Sequence, residues 1–169
     1  MNRPKRKFLA LVPVIAALLF STAANLARAA VSGAEFGPRI GVSSDPDQMV
    51  LGGQLEFPEF APHMTVDPNV ELGFLDNRTV VSLNADFYYH FAIQSSAWAP
   101  YAGMGLSVNV TQFENDVFGN SNSESNAGAN LVLGAGVPTR SGNRFFGELR
   151  VGLGDIPALK FMAGWNFRM

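Results

Sequence analysis

His63 and His90 are the only histidines in this chain, and it contains no cysteine. His90 follows Asp86 and Ser82 in the same alternating segment, and base, acid and hydroxyl are the residue types of a nucleophilic relay. Such a relay needs its groups within hydrogen-bond reach, whereas residues four apart on a strand stand about 13 Å apart. Without partners from another strand, His90 has no nucleophile to activate. His63 follows Pro62 in an expected turn. Two isolated histidines and no thiol give no metal-ligand spacing, so neither metal nor cofactor is expected. Gly103 with Gly105, and Gly134 with Gly136, sit inside alternating segments that no helix follows, which removes a phosphate cradle. No catalytic, cofactor-binding or metal-ligating residue is therefore assigned, and the chain is read as a non-enzyme.

The charge distribution narrows the partners. The chain has 169 residues, 12 basic against 14 acidic, but Arg3, Lys5, Arg6, Lys7 and Arg28 all fall in residues 1–29, which hold no acid. The remainder is strongly acidic, with Lys160 its single lysine, and phosphate binding needs clustered Lys and Arg. A nucleic-acid partner is excluded on that ground. Residues 1–29 read as a secretory signal peptide. Asn2 to Lys7 form a positive start, Phe8 to Phe20 an apolar run interrupted only by Pro13, and Ala27-Arg28-Ala29 a cleavage site before Ala30. The run is shorter than the roughly 20 residues a spanning helix needs. Residues 30–169 then form one exported domain.

Across that domain the apolar spacing has period two, not 3.6. Eight strands are expected: Glu35 to Ser43, Met49 to Phe57, Met64 to Phe74, Val80 to Phe91, Pro100 to Thr111, Ala127 to Val137, Phe145 to Gly154, and Leu159 to Met169. Their connections are mostly brief and turn-forming, as in Ser44-Asp45-Pro46-Asp47, Ser141-Gly142-Asn143 and Asp155-Ile156-Pro157, which makes neighbouring strands antiparallel. So high a strand content with short connections points to an all-β fold closed into an eight-stranded antiparallel up-and-down barrel.

Alternation alone does not say which face is inside. A soluble ligand-binding barrel turns its apolar face inward, and an outer-membrane barrel turns it toward lipid. One face of the eight strands carries no charged residue, as lipid demands. The other carries many glycines beside Tyr88, Tyr101, Phe146 and Arg150, which suits a narrow interior filled by its own side chains. That second face also holds Glu35, Arg39, Glu56, Asp67, Glu71, Asp86, Glu148, Arg150, Lys160 and Arg168. Mixed charge in a confined space implies paired ions, so these residues are expected to form a structural ion-pair network in the lumen. Phe57, Phe74, Phe91, Trp98, Trp165 and Phe167 lie near strand ends, where interfacial aromatics belong.

Val80 to Asp86, Pro100 to Leu106 and Gly147 to Asp155 resemble strand motifs of the porin-family chains of Gram-negative bacteria. Residues 30–169 are similar to the small eight-stranded outer-membrane barrels, such as the outer-membrane protein X and protein W groups. One departure is the terminal Met169, where such barrels usually end in an aromatic residue; Phe167 stands two positions earlier. The resemblance implies a monomer in the bacterial outer membrane, in contact with membrane lipid and lipopolysaccharide and inserted by the barrel-insertion machinery. It also implies a structural or surface-contact role with a plugged lumen. Two alternatives stay open: a narrow channel for small hydrophobic molecules, and a lipid-modifying enzyme. With both termini periplasmic, the polar connection Gln112 to Asn126 would face the cell surface. It reads either as a disordered acidic tip or as a contact loop bridged to lipopolysaccharide by divalent cations.

Overall fold

The computed structural model describes residues 33–75, 78–93, 96–113 and 123–169. The expected signal peptide lies outside the described residues, as do Asp76, Asn77 and residues 114–122 of the long connection. Eight strands form: β1 (Glu35–Ser44), β2 (Gln48–Glu56), β3 (Met64–Leu75), β4 (Arg78–His90), β5 (Ala99–Phe113), β6 (Ser123–Pro138), β7 (Arg144–Gly154) and β8 (Leu159–Arg168). Each pairs antiparallel with the next, and β8 returns to β1, so the sheet is a closed barrel in chain order. Closure leaves no edge strand with unpaired backbone groups, the one sheet arrangement that hydrocarbon tolerates.

The largest departure from the sequence reading is the connection Gln112 to Asn126. Most of its flanks are strand: Asn109 pairs with Asn126, Val110 with Ser125, Thr111 with Glu124 and Gln112 with Ser123. Ser and Asn have little intrinsic preference for strands. Here β5 is already held on its other side by β4, with Arg78 opposite Phe113, so the ladder simply continues. Glu124, expected in a loop, is a strand residue.

The faces are divided as alternation requires. Leu83 and Leu133 point outward with 44% and 62% of their surface exposed, alongside Ile40, Leu51, Met104, Leu106 and Phe161. Arg39, Asp67, Glu71, Asp86, Arg150 and Asn166 are buried inside. Exposing a large apolar side chain to water forfeits roughly 1.5–3 kcal/mol, and the 25 such side chains exposed among the described residues would make this exterior untenable in water.

Glycine placement explains how so thin a barrel holds large side chains. The Tyr88 ring lies over Gly103, the Tyr101 ring over Gly134 and the Phe146 ring over Gly164, each on a neighbouring strand. A Cβ at any of these glycines would collide with the ring. Prolines sit where the ladder is already interrupted. The β1–β8 register omits Gly37 and Pro38, and the continuous β2–β3 register stops at Gln54 opposite Asn69, one residue short of Pro68.

Candidate functional site

The lumen is the concentration of chemistry in this molecule. Acids project mainly from β1 to β4 and bases mainly from β7, β8 and β1, so most pairs span the interior instead of running along one strand. At mid-height, Arg39 Nη2 donates to Glu148 Oε2 at 2.6 Å, and its Nε stands 3.4 Å from Glu71 Oε1. Lys160 Nζ lies 2.7 Å from Glu71 Oε2. Arg150 pairs with Asp86 and stands 3.3 Å from Glu71 and 3.5 Å from Glu148. Two phenols close the cluster: Tyr101 Oη donates to Glu148 at 2.8 Å and Tyr88 Oη at 3.2 Å. Four carboxylates would be prohibitively costly in this interior alone. Each of Glu71, Asp86 and Glu148 is held by at least one cation, which offsets the desolvation of both partners.

Asp67 is different. Among the described residues it has no ion pair, and its Oδ1 accepts 3.1 Å from Asn69 Nδ2, the same amide that donates to Asp86 at 2.7 Å. One neutral amide thus bridges two carboxylates facing each other across the β3–β4 register.

A second cluster occupies the rim that carries the ends of β1 and β8. Arg144 Nη2 lies 2.9 Å from Glu35 and also pairs with Glu56. Asn166 reaches both carboxylates at 3.4 and 3.5 Å, and takes 2.8 Å from Gln54, which in turn accepts from Arg39 at 2.9 Å. The two clusters are therefore one hydrogen-bonded network. Arg144, Gln54, Asn69 and Asn166 were not singled out in the sequence. Arg144 has the lumen parity of Phe146, Glu148 and Arg150, and carrying the alternation one residue further back would have found it.

Of the expected network residues, the structure brings together Glu35, Arg39, Glu56, Glu71, Asp86, Glu148, Arg150 and Lys160. It leaves out two: Asp67, which is buried but held by the Asn69 amide and by no cation among the described residues, and Arg168, which is exposed at the rim and has no ion pair among the described residues. Its register partner, Glu35, is already taken by Arg144.

His90 does acquire cross-strand partners. Its Nε2 is 2.9 Å from Thr65 Oγ1 and 3.3 Å from Glu56 Oε1. Both contacts use the same ring nitrogen. A relay needs the hydroxyl on one nitrogen and the acid on the other, so this arrangement cannot pass a proton from threonine to glutamate. Among the described residues no group of three or more His, Asp or Glu is arranged to hold a metal ion.

At the far end, the β7–β8 turn folds inward. Ile156 is buried, with its side chain against Gly128 and Gly152. Asp155-Ile156-Pro157, expected as a simple turn, caps the far end of the lumen.

The outward aromatics are unevenly placed. Of the six expected interfacial aromatics, Phe57, Phe91, Trp98, Trp165 and Phe167 lie at the rim of the β1 and β8 ends and Phe74 at the other. Phe36 packs on Phe167 at 5.8 Å, and Phe145 on Trp165 at 6.2 Å, thickening the same belt.

A closed eight-stranded antiparallel barrel with an apolar exterior and an ionic interior is the fold of the small bacterial outer-membrane β-barrels. Solved structures of that class superpose on it. The N-terminal β-barrel domain of Pseudomonas aeruginosa OprF matches with a TM-score of 0.64, covering 81% of this chain and 98% of its own. Neisserial surface protein A matches at 0.63, covering 81% and 95%, and the Yersinia pestis attachment invasion locus protein Ail at 0.58, covering 81% and 97%. Each is 14% identical to this chain, a likeness of fold alone. No protein-family model and no curated protein sequence matches the chain.

Proposed function

We propose that this chain is a monomeric, non-enzymatic barrel of the bacterial outer membrane whose lumen is plugged and whose role is structural or one of surface contact. The observation that carries this reading is the cross-lumen network. Arg39, Arg150 and Lys160 each reach across to carboxylates on other strands, and Tyr88, Tyr101 and Phe146 fill the space between them. An eight-stranded barrel is only wide enough for its own side chains, and here those side chains are tied to one another. Ile156 adds a second obstruction at the far end.

The chain's contacts in this reading are membrane lipid and lipopolysaccharide around its exterior, reached through the barrel-insertion machinery after removal of residues 1–29. Surface contact would fall to the β5–β6 extension, since the other far-end connections, residues 45–47, 76–77 and 155–158, are short. The His90 geometry supports the non-enzymatic part.

The test is electrical and chemical. Purified protein reconstituted in planar bilayers is expected to show no steady conductance, and in liposomes no solute flux. Flux of small hydrophobic molecules would replace this reading with the narrow channel. Altered lipid A acylation on expression would replace it with the lipid-modifying enzyme.

A further inference from the structure

The charges in the middle of the lumen do not balance. Among the described residues the buried cations there are Arg39, Arg150 and Lys160, and four buried carboxylates face them: Asp67, Glu71, Asp86 and Glu148. All three cations are taken. Arg39 holds Glu71 and Glu148, Arg150 holds Asp86 and also nears Glu71 and Glu148, and Lys160 holds Glu71. Asp67 is the carboxylate left over, with none of its surface exposed.

Its surroundings oppose a negative charge from both sides. On β4, Asp86 stands directly opposite. On β2, Gln54 pairs with Asn69, and Phe57 N donates to Val66 O at 2.8 Å, so the same register sets Glu56 beside Asp67. Both flanking acids have cations of their own, Arg150 for Asp86 and Arg144 for Glu56, and His90 adds a contact to Glu56 at 3.3 Å. On this face β3 itself offers Asp67 only Thr65, Asn69 and Glu71, and β4 adds Asn84 and Tyr88. Asn69 Nδ2 reaches Asp67 Oδ1 at 3.1 Å, and Oδ2 accepts no hydrogen bond among the described residues. A buried carboxylate without a partner costs far more than a neutral polar group, and such a group neutralises instead. Asp86 keeps its charge because Arg150, Asn69 and the Tyr88 hydroxyl all donate to it.

We propose that the mid-lumen is a proton-binding site and that Asp67 carries the proton in the folded barrel, leaving three carboxylates against three cations. This rests on the plugged-lumen reading, because water in an open lumen would let Asp67 ionise. The proton has a structural task. An un-ionised acid donates as well as accepts, so it can tie β3 into a network that otherwise offers Asp67 one amide. It also leaves the plug without the net negative charge that would draw cations into the lumen.

The test is infrared spectroscopy on the whole mature barrel, made with isotope-labelled aspartate and refolded at neutral pH in a detergent without ester groups, so that no lipid carbonyl overlaps. The expected result is one carbonyl band of an un-ionised aspartic acid, which shifts with the label and disappears in Asp67→Asn. Asparagine is the neutral isostere, so Asp67→Asn should change the folding equilibrium constant by less than about fivefold. Glu71→Gln strips Lys160 of its counter-ion and should lower it about a hundredfold or more. Absence of the band, a band that survives Asp67→Asn, or equal losses in the two variants would each overturn the proposal. So would a gain in stability on adding sodium that Asp67→Asn abolishes, since a metal ion would then be the counter-charge. Steady conductance of the same protein in planar bilayers overturns the plugged-lumen reading itself, which separates the two failures.

Discussion

Removing Glu148 tests the network at its most connected carboxylate. Glu148→Ala deletes the 2.6 Å partner of Arg39, the 3.5 Å neighbour of Arg150 and the acceptor of both Tyr88 and Tyr101. Breaking a buried pair from one side costs about 3–5 kcal/mol, because the surviving charge stays buried without its counter-ion. The structure places this case near the lower end. Arg39 keeps Glu71 at 3.4 Å and Gln54 at 2.9 Å, and Arg150 keeps Asp86 and Glu71. A loss of about 3 kcal/mol lowers the folding equilibrium constant by about two powers of ten. Replacing both partners, Arg39→Met with Glu148→Leu, removes the charges together. Its cost should fall clearly below the sum of Arg39→Met and Glu148→Leu made singly. Urea titration of vesicle-reconstituted barrels, followed by the emission of Trp98 and Trp165 and by gel mobility, measures all of these variants. A Glu148→Ala penalty under about 1 kcal/mol, or additive single costs, would refute the claim that these charges hold each other across the lumen.

Three further outcomes follow from the same geometry. Leu83→Arg and Leu133→Arg, on the lipid face, should each cost about 2–4 kcal/mol in that titration, whereas Glu124→Lys at the far extension should change stability by less than about 0.5 kcal/mol. Gly103→Val and Gly164→Val force the Tyr88 and Phe146 rings off their seats and should each cost about 1–3 kcal/mol or more, seen as a lowered urea midpoint. Ile156→Ala should make a cysteine at Ser107, the buried register partner of Gly128, reactive to a water-soluble maleimide while bilayer conductance stays absent, because the ion pairs still fill the mid-lumen.

The strands were legible because lipid on one side and ions on the other impose an unbroken period of two. Val81, Leu83, Ala85 and Phe87 against Ser82, Asn84 and Asp86 admit no other reading. What the chain could not disclose is which lumen residue meets which. Arg39 finds Glu148 109 positions away and Arg150 finds Asp86 64 positions away, through strand tilt and closure that no local pattern encodes. Arg168 has the parity of a lumen residue yet falls outside the network, because Arg144, one position before the expected start of its strand, had already taken Glu35. Gln112 and Ser123 read as loop by composition and are strand because their neighbours hold them in register. Ile156 looked like part of a turn, and only the glycines opposite reveal that it is a cap.

The central claim is that the apolar face meets lipid and the charged face is sealed inside. Because the chain has no native cysteine, single substitutions report this directly. Leu83→Cys and Leu133→Cys, in barrels reconstituted in vesicles, should resist a membrane-impermeant maleimide and react fully once urea unfolds the protein, while Glu124→Cys, in protein inserted with the far rim outward, reacts in both states. Rapid labelling of Leu83→Cys and Leu133→Cys in the folded protein, or a folded chain that stays in solution without detergent or lipid, would contradict the account.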